Sequence, residues 1–169
     1  MTSKEPVTSE ETDYPKPQTF TASAAVFALR GGKILILKRA GGEMSGAWYI
    51  PGGMVDQGEW PEQAASRELL EESGLVPSGP LTQIGLVPMD VYGSYSLEVT
   101  YAADCEDGEV AVSDEHEGHR WIDPREFRDR YFGDDQLQRV TEGSERRAMI
   151  VRGIRANLDR YIDWLDRQA

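Results

Sequence analysis

Residues 53–75 read GMVDQGEWPEQAASRELLEESGL, and this stretch decides how the chain is to be understood. The spacing predicts a helix over about Pro61 to Ser73. Proline suits the first turn, where its missing N–H would be unpaired anyway, and Gly74 suits a left-handed exit. Within that helix Glu68, Glu71 and Glu72 stand at i, i+3 and i+4, which places three carboxylates on one narrow face. Such a face is either solvated or neutralised by a hard divalent cation that prefers oxygen donors. Arg67 lies four residues before Glu71 and either orients a carboxylate or forms a surface pair. Glu59, just before the helix, either joins a metal shell or favours the positive end of the helix dipole. Gly52 and Gly53 allow close backbone approach to a ligand, or simply make a tight turn.

Strand signals flank this segment. Phe20 to Leu29 is rich in β-branched, aromatic and small apolar residues, Gly31-Gly32 marks a turn, and Lys33 to Lys38 is a short apolar run, so a β-hairpin is expected. Ala40 to Gly46 reads as a loop, followed by the short apolar segment Trp48-Tyr49-Ile50, which Pro51-Gly52-Gly53 stops. Leu81 to Val91 and Tyr95 to Ala103 read as two strands around the turn Gly93-Ser94. The alternation Tyr95, Leu97, Val99, Tyr101 suggests one buried face. Arg120-Trp121-Ile122 is expected to close the sheet. Asp123-Pro124-Arg125-Glu126 combines a cap, a first-turn proline and an acid three residues on, so a short helix should start there, anchored by Phe127 and Tyr131. From Ser144 to Arg167, Ile150, Ile154, Leu158, Tyr161, Ile162 and Leu165 recur at helical spacing and predict a long amphipathic helix packed on the core.

At 169 residues one well-buried core is the expectation. Met1 to Gln18 has too few large apolar residues to offset the entropy of ordering and reads as a flexible acidic tail, leaving 19–169 as a single domain. That N-terminal stretch also lacks the basic start and apolar centre of a secretory signal. No run approaches the roughly 18–20 apolar residues of a membrane span. The single cysteine, Cys105, permits no internal disulfide and reads as a buried small hydrophobe, in keeping with a cytoplasmic location. A formal charge of −12, with 18 basic residues in no run, disfavours long nucleic acid. Small anionic substrates fit, because a bound cation supplies the local positive charge.

The segment from Gly53 to Leu75 resembles the Nudix box at every defined position: Gly53, Glu59, Arg67-Glu68-Leu69, Glu71-Glu72 and Gly74-Leu75. So many fixed residues over 23 positions make chance agreement negligible. The resemblance implies an α+β fold, an α/β/α sandwich with a mixed central sheet. It also implies hydrolysis of a nucleoside diphosphate linked to a further moiety, or of a nucleoside triphosphate, by water attack at phosphorus. By similarity Glu68, Glu71 and Glu72, with the Gly53 carbonyl, would hold Mg²⁺ or Mn²⁺. Arg67 and Glu59, beside Gly52, would support and orient them.

Family members differ in where the general base comes from. The loop Ser113-Asp114-Glu115-His116-Glu117 resembles the one that brings a glutamate to the metals, so Glu115 is the first candidate, with Glu117 and Glu68 as alternatives. His116 and His119 lack metal-ligand spacing with a third donor and read as surface or hydrogen-bonding residues. For the substrate, Trp48 and Tyr92 are candidates to stack on a base, with Glu117 as a further contact. Tyr92 lies 17 residues past the box, a spacing that resembles dinucleoside-polyphosphate hydrolases. Pro88, 13 residues past it, is too close to match the proline of ADP-ribose hydrolases. The expected partner is a small nucleotide-type diphosphate, and the expected assembly a monomer or homodimer. The competing reading is a nucleotide-sensing module that keeps the fold without turnover.

Overall fold

The computed structural model describes residues 19–42, 44–91, 94–134 and 145–168; the expected N-terminal tail lies outside them. In chain order the elements are β1 Thr21–Arg30, β2 Lys33–Arg39, β3 Trp48–Tyr49, β4 Gly52–Met54, α1 Pro61–Ser73, β5 Thr82–Val91, β6 Ser94–Asp104, β7 His116–Ile122, α2 Pro124–Phe132 and α3 Glu145–Asp166.

The strands form one mixed sheet in the order β3-β2-β1-β6-β5, with β4 paired to β1 and β7 to β2. β1 and β6 run parallel and the other pairs antiparallel. The hairpin expected at Gly31-Gly32 forms, and both glycines take positive φ, 56° and 74°, as its tight turn requires. One expectation needs correcting. Gly52-Gly53 does not merely stop a strand: with Met54 it makes β4, paired to Ala25, Ala24 and Ser23 of β1. A Cβ on Gly52 would lie 2.6 Å from the Ala24 carbonyl and 2.7 Å from the Ala25 Cβ, so only glycine lets these backbones meet so closely.

Strand alternation sends successive β1 residues to opposite layers. Ala24, Val26 and Ala28 face Ala64, Ala65 and Leu69 of α1, whereas Ala25 and Phe27 join Phe127 of α2 and Ile154, Leu158 and Tyr161 of α3. The molecule is therefore an α/β/α sandwich. Helix α1 begins after Trp60, whose N–H donates to Gln63 Oε1 at 2.9 Å, and ends at Gly74 with φ 72°. Helix α2 starts where Asp123 Oδ1 accepts the Arg125 and Glu126 N–H groups at 2.8 and 3.1 Å. The stripe of α3 packs as anticipated, with Ile154, Leu158 and Tyr161 buried, and Tyr161 stacks on Phe27 at 4.1 Å between centroids. Gly153 lets α3 press onto β5, since a Cβ there would collide with the Met89 sulfur.

The burial of β6 runs against its hydrophobic pattern. Tyr95 is 64% exposed and Leu97 and Val99 are only half-buried, while the polar residues Ser96, Glu98 and Thr100 are buried. The central position of β6 explains this, because β1 and β5 flank it and a helix covers each face. Polar side chains pointing towards α3 are enclosed along with the rest.

Candidate active site

Arg67 gathers the acids of the box. Its Nε and Nη2 donate to the two oxygens of Glu59, each at 3.0 Å, its Nη1 to Glu68 Oε1 at 2.7 Å and Glu71 Oε2 at 3.1 Å, and Nη2 also to the Met54 carbonyl at 2.9 Å. The bidentate grip on Glu59 holds that carboxyl below the usual carboxylate range, and the same bonds push the guanidinium above its ordinary value. Glu59 is fixed further by the Asp56 N–H at 3.1 Å. Gly53 sits against the Glu68 carboxylate so closely that a Cβ would run into it.

Glu72 turns the other way. It is 6% exposed, and its Oε2 accepts the Gly52 N–H at 3.0 Å. Burial pushes its carboxyl up to about 8, with the charges of Glu68 and Glu115 adding to the rise and the Gly52 bond and the Arg39 charge opposing it. Its nearest cationic candidate is His116, whose Nε2 is 3.6 Å from Glu72 Oε1, too long for a hydrogen bond. Burial also lowers the His116 pKa, so both groups shift towards neutrality and the contact is no ion pair. No lysine or arginine among the described residues reaches Glu72 within salt-bridge distance.

The expected ligand set is only partly assembled. Among the described residues no three acidic, histidine or cysteine side chains converge as a ready metal cage. The reason is visible: Arg67 holds Glu68 and Glu71, while Glu72 is bonded to Gly52. The donor chemistry nonetheless fits a hard divalent cation. Three carboxylates share one end of α1, one of them is desolvated without a cationic partner, and all donors are oxygen.

Glu72, Gly52 and His116 also line one side of a cavity of about 500 Å³ that extends over Tyr49, Ile50 and Met89 to Glu98, Phe132, Val151 and Ile154. Trp48, the candidate for base stacking, lines it half-buried, with the Arg120 guanidinium 4.6 Å from its ring. Tyr92 lies outside the described residues. Glu115 is in the turn before β7, its Oε2 paired with Arg39 Nη1 at 2.8 Å, and its charge reaches Glu72. Glu117 is on β7 itself and pairs with Lys38, so the structure does not join it to the box acids.

Of the two readings of His116, surface or hydrogen-bonding, the structure supports the second: its side chain is 7% exposed, beside Glu72 and 3.3 Å from Ser113 Oγ through Nδ1. No spacing could have shown this, because β7 pairing with β2 brings the residue in. Arg39, Tyr49, Glu98 and Asn157 were missed.

The NUDIX domain family model matches residues 19–141, and the chain belongs to this family. It is 39% identical over 100 residues to an oxidized purine nucleoside triphosphate hydrolase of Danio rerio, covering 58% of this chain and 63% of that protein. It is 33% identical over 128 residues to an octanoyltransferase of Myxococcus xanthus, covering 68% of this chain and 33% of that one. The chain thus spans less than two thirds of either relative. A solved MutT NUDIX hydrolase of Burkholderia pseudomallei superposes with a TM-score of 0.57 at 29% identity, over 64% of this chain and 86% of that one. No described helix is long and apolar enough to cross a membrane.

Proposed function

We propose that this chain is a divalent-metal-dependent pyrophosphohydrolase that cleaves a nucleoside diphosphate derivative or nucleoside triphosphate by water attack at phosphorus. The observation that carries this reading is Glu72, a desolvated carboxylate without a cationic partner, beside Glu68 and Glu71 and at the mouth of a nucleotide-sized cavity. Glu68, Glu71, Glu72 and the Gly53 carbonyl would hold Mg²⁺ or Mn²⁺. When bound, the metal supplies charge neutralisation at the diphosphate and a water of lowered pKa.

The chain's own residues do the rest. Arg67, braced by Glu59, positions Glu68 and Glu71, and Gly52 presents its N–H to fix Glu72. Glu115, held by Arg39, takes the proton from the attacking water. The apolar walls beyond Gly52 take the nucleoside end of the substrate and exclude water from it. The name of the Danio rerio relative, an oxidized purine nucleoside triphosphate hydrolase, agrees with such a substrate, that of the octanoyltransferase does not, and every defined box residue is retained.

The test is a screen of purified protein against nucleoside triphosphates, nucleotide sugars, ADP-ribose and dinucleoside polyphosphates, with and without Mg²⁺, reading both products. Metal-dependent cleavage of an anhydride bond is expected. Tight nucleotide binding without turnover at saturating Mg²⁺ would make the protein a sensor instead.

A further inference from the structure

The apolar part of the cavity holds the Glu98 carboxyl, and its bonding is half complete. Glu98 projects from the middle of β6, is 6% exposed and lines the cavity. Its Oε1 accepts two hydrogen bonds, from the Tyr49 hydroxyl at 2.7 Å and from Asn157 Nδ2 at 2.8 Å. Both lone pairs of Oε1 are thereby used. Oε2 has no partner among the described residues.

We propose that Glu98 determines base specificity, with Oε2 accepting N–H donors from a purine edge that carries a ring N–H next to an exocyclic amine, as guanine does. The assignment rests on the nucleotide reading above and adds to it the class of base. Three arguments support it. First, Glu98 is a nearly buried carboxyl that lines the cavity with one oxygen fully engaged, so Oε2 is the oxygen left to accept from a ligand, and donors there replace the hydration that a bound ring displaces. Second, its neighbours donate, so they fix which oxygen faces the cavity and leave two lone pairs there, enough for the N1–H and N2–H of one guanine edge. Third, the walls are Ile50, Met89, Phe132, Val151 and Ile154, which suit a flat ring and offer no competing polar atom of their side chains. Burial pushes the Glu98 carboxyl up to about 7, against the Tyr49 and Asn157 bonds, so the site gains from donors that favour the ionised form. Adenine turns an unprotonated N1 to the same oxygen, which repels it.

The fixed donors also make the isosteric variant informative. In Glu98→Gln, Tyr49 and Asn157 would hold the amide oxygen inward and leave the amide NH₂ facing the cavity, so the site would become a donor. Calorimetric titration of GMP, IMP and AMP in EDTA reads this without metal or turnover. The wild type is expected to bind GMP at least about tenfold more tightly than AMP, with IMP, which lacks the amine, in between. Glu98→Gln should abolish or reverse that order. Glu98→Asp keeps the charge but withdraws it from the cavity and should lose most of the preference, which covers the case where the amide variant does not fold. Equal GMP and AMP affinity in the wild type overturns the assignment, as does an unchanged preference in whichever variant folds. Failure of hydrolysis in the metal screen would sink the pyrophosphohydrolase reading while leaving this base preference measurable.

Discussion

The two faces of the central sheet carry polar groups for different reasons. Towards α1, Arg67 joins Glu59, Glu68 and Glu71 into a network that is partly open to solvent and encoded within 23 consecutive residues. Towards α3, Tyr49, Glu98 and Asn157 form a buried network whose members are separated by 49 and 59 residues. The first is a local motif that gathers charge on one helix face. The second exists only once β3, β6 and α3 have assembled.

The largest effect should come from breaking the α1 side. Glu72→Gln or Glu71→Gln is expected to lower kcat by at least about 100-fold at saturating Mg²⁺ while leaving the fold intact, since even indirect metal partners are commonly worth 10–100-fold. Wild-type kcat in either variant would remove these residues from the site. Next in size is Glu115→Gln, expected to lower kcat by roughly 10² with little change in metal affinity. Glu117→Gln, made in parallel, should change little, because Glu117 is engaged with Lys38. If both keep full rate at all Mg²⁺ concentrations, the base lies elsewhere, with Glu68 the remaining candidate.

This contrast also explains what could be read from sequence. The box could be read because helix geometry turns spacing directly into a shared face: Glu68, Glu71 and Glu72 need no other part of the chain to be neighbours. The hairpin, α1, α2 and α3 followed from turn residues, caps and apolar periodicity for the same local reason. β6 misled. Its alternation pointed to Tyr95, Leu97, Val99 and Tyr101 as the inward set; Tyr101 is buried and Val99 packs on the α1-side core, but Tyr95 is exposed, and a central strand covered on both faces buries its polar residues too. Glu98 and the burial of His116 were invisible because strand pairing, which is set by distant partners, decides what surrounds them. β4 was missed because a three-residue glycine strand has no hydrophobic pattern to show.

The smallest expected effect sharpens the comparison through stability. Glu72 and Glu98 both have carboxyls raised above the ordinary value, to about 8 and about 7. Raised acids bind more protons in the folded than in the unfolded state, so folding stability of the metal-free protein should fall as pH rises from about 4.5 to about 8. Thermal unfolding in EDTA across this range should show a loss of at least about 1 kcal/mol, or roughly 2–4 °C. Glu72→Gln should reduce the slope over the whole range and remove it between pH 7 and 8, whereas Glu98→Gln should reduce it only below about 7. A metal-free stability that rises through this range would contradict the burial of both groups.

The central claim is that the two ends of the cavity divide the work, cation at the Glu72 end and base at the Glu98 end. Mn²⁺ titration followed by electron paramagnetic resonance, on the wild type, Glu72→Gln and Glu98→Gln, tests it most directly. The account predicts that Glu72→Gln weakens Mn²⁺ binding about tenfold or more, while Glu98→Gln binds Mn²⁺ as the wild type does. Unchanged affinity in Glu72→Gln, or an equal loss in Glu98→Gln, would contradict it.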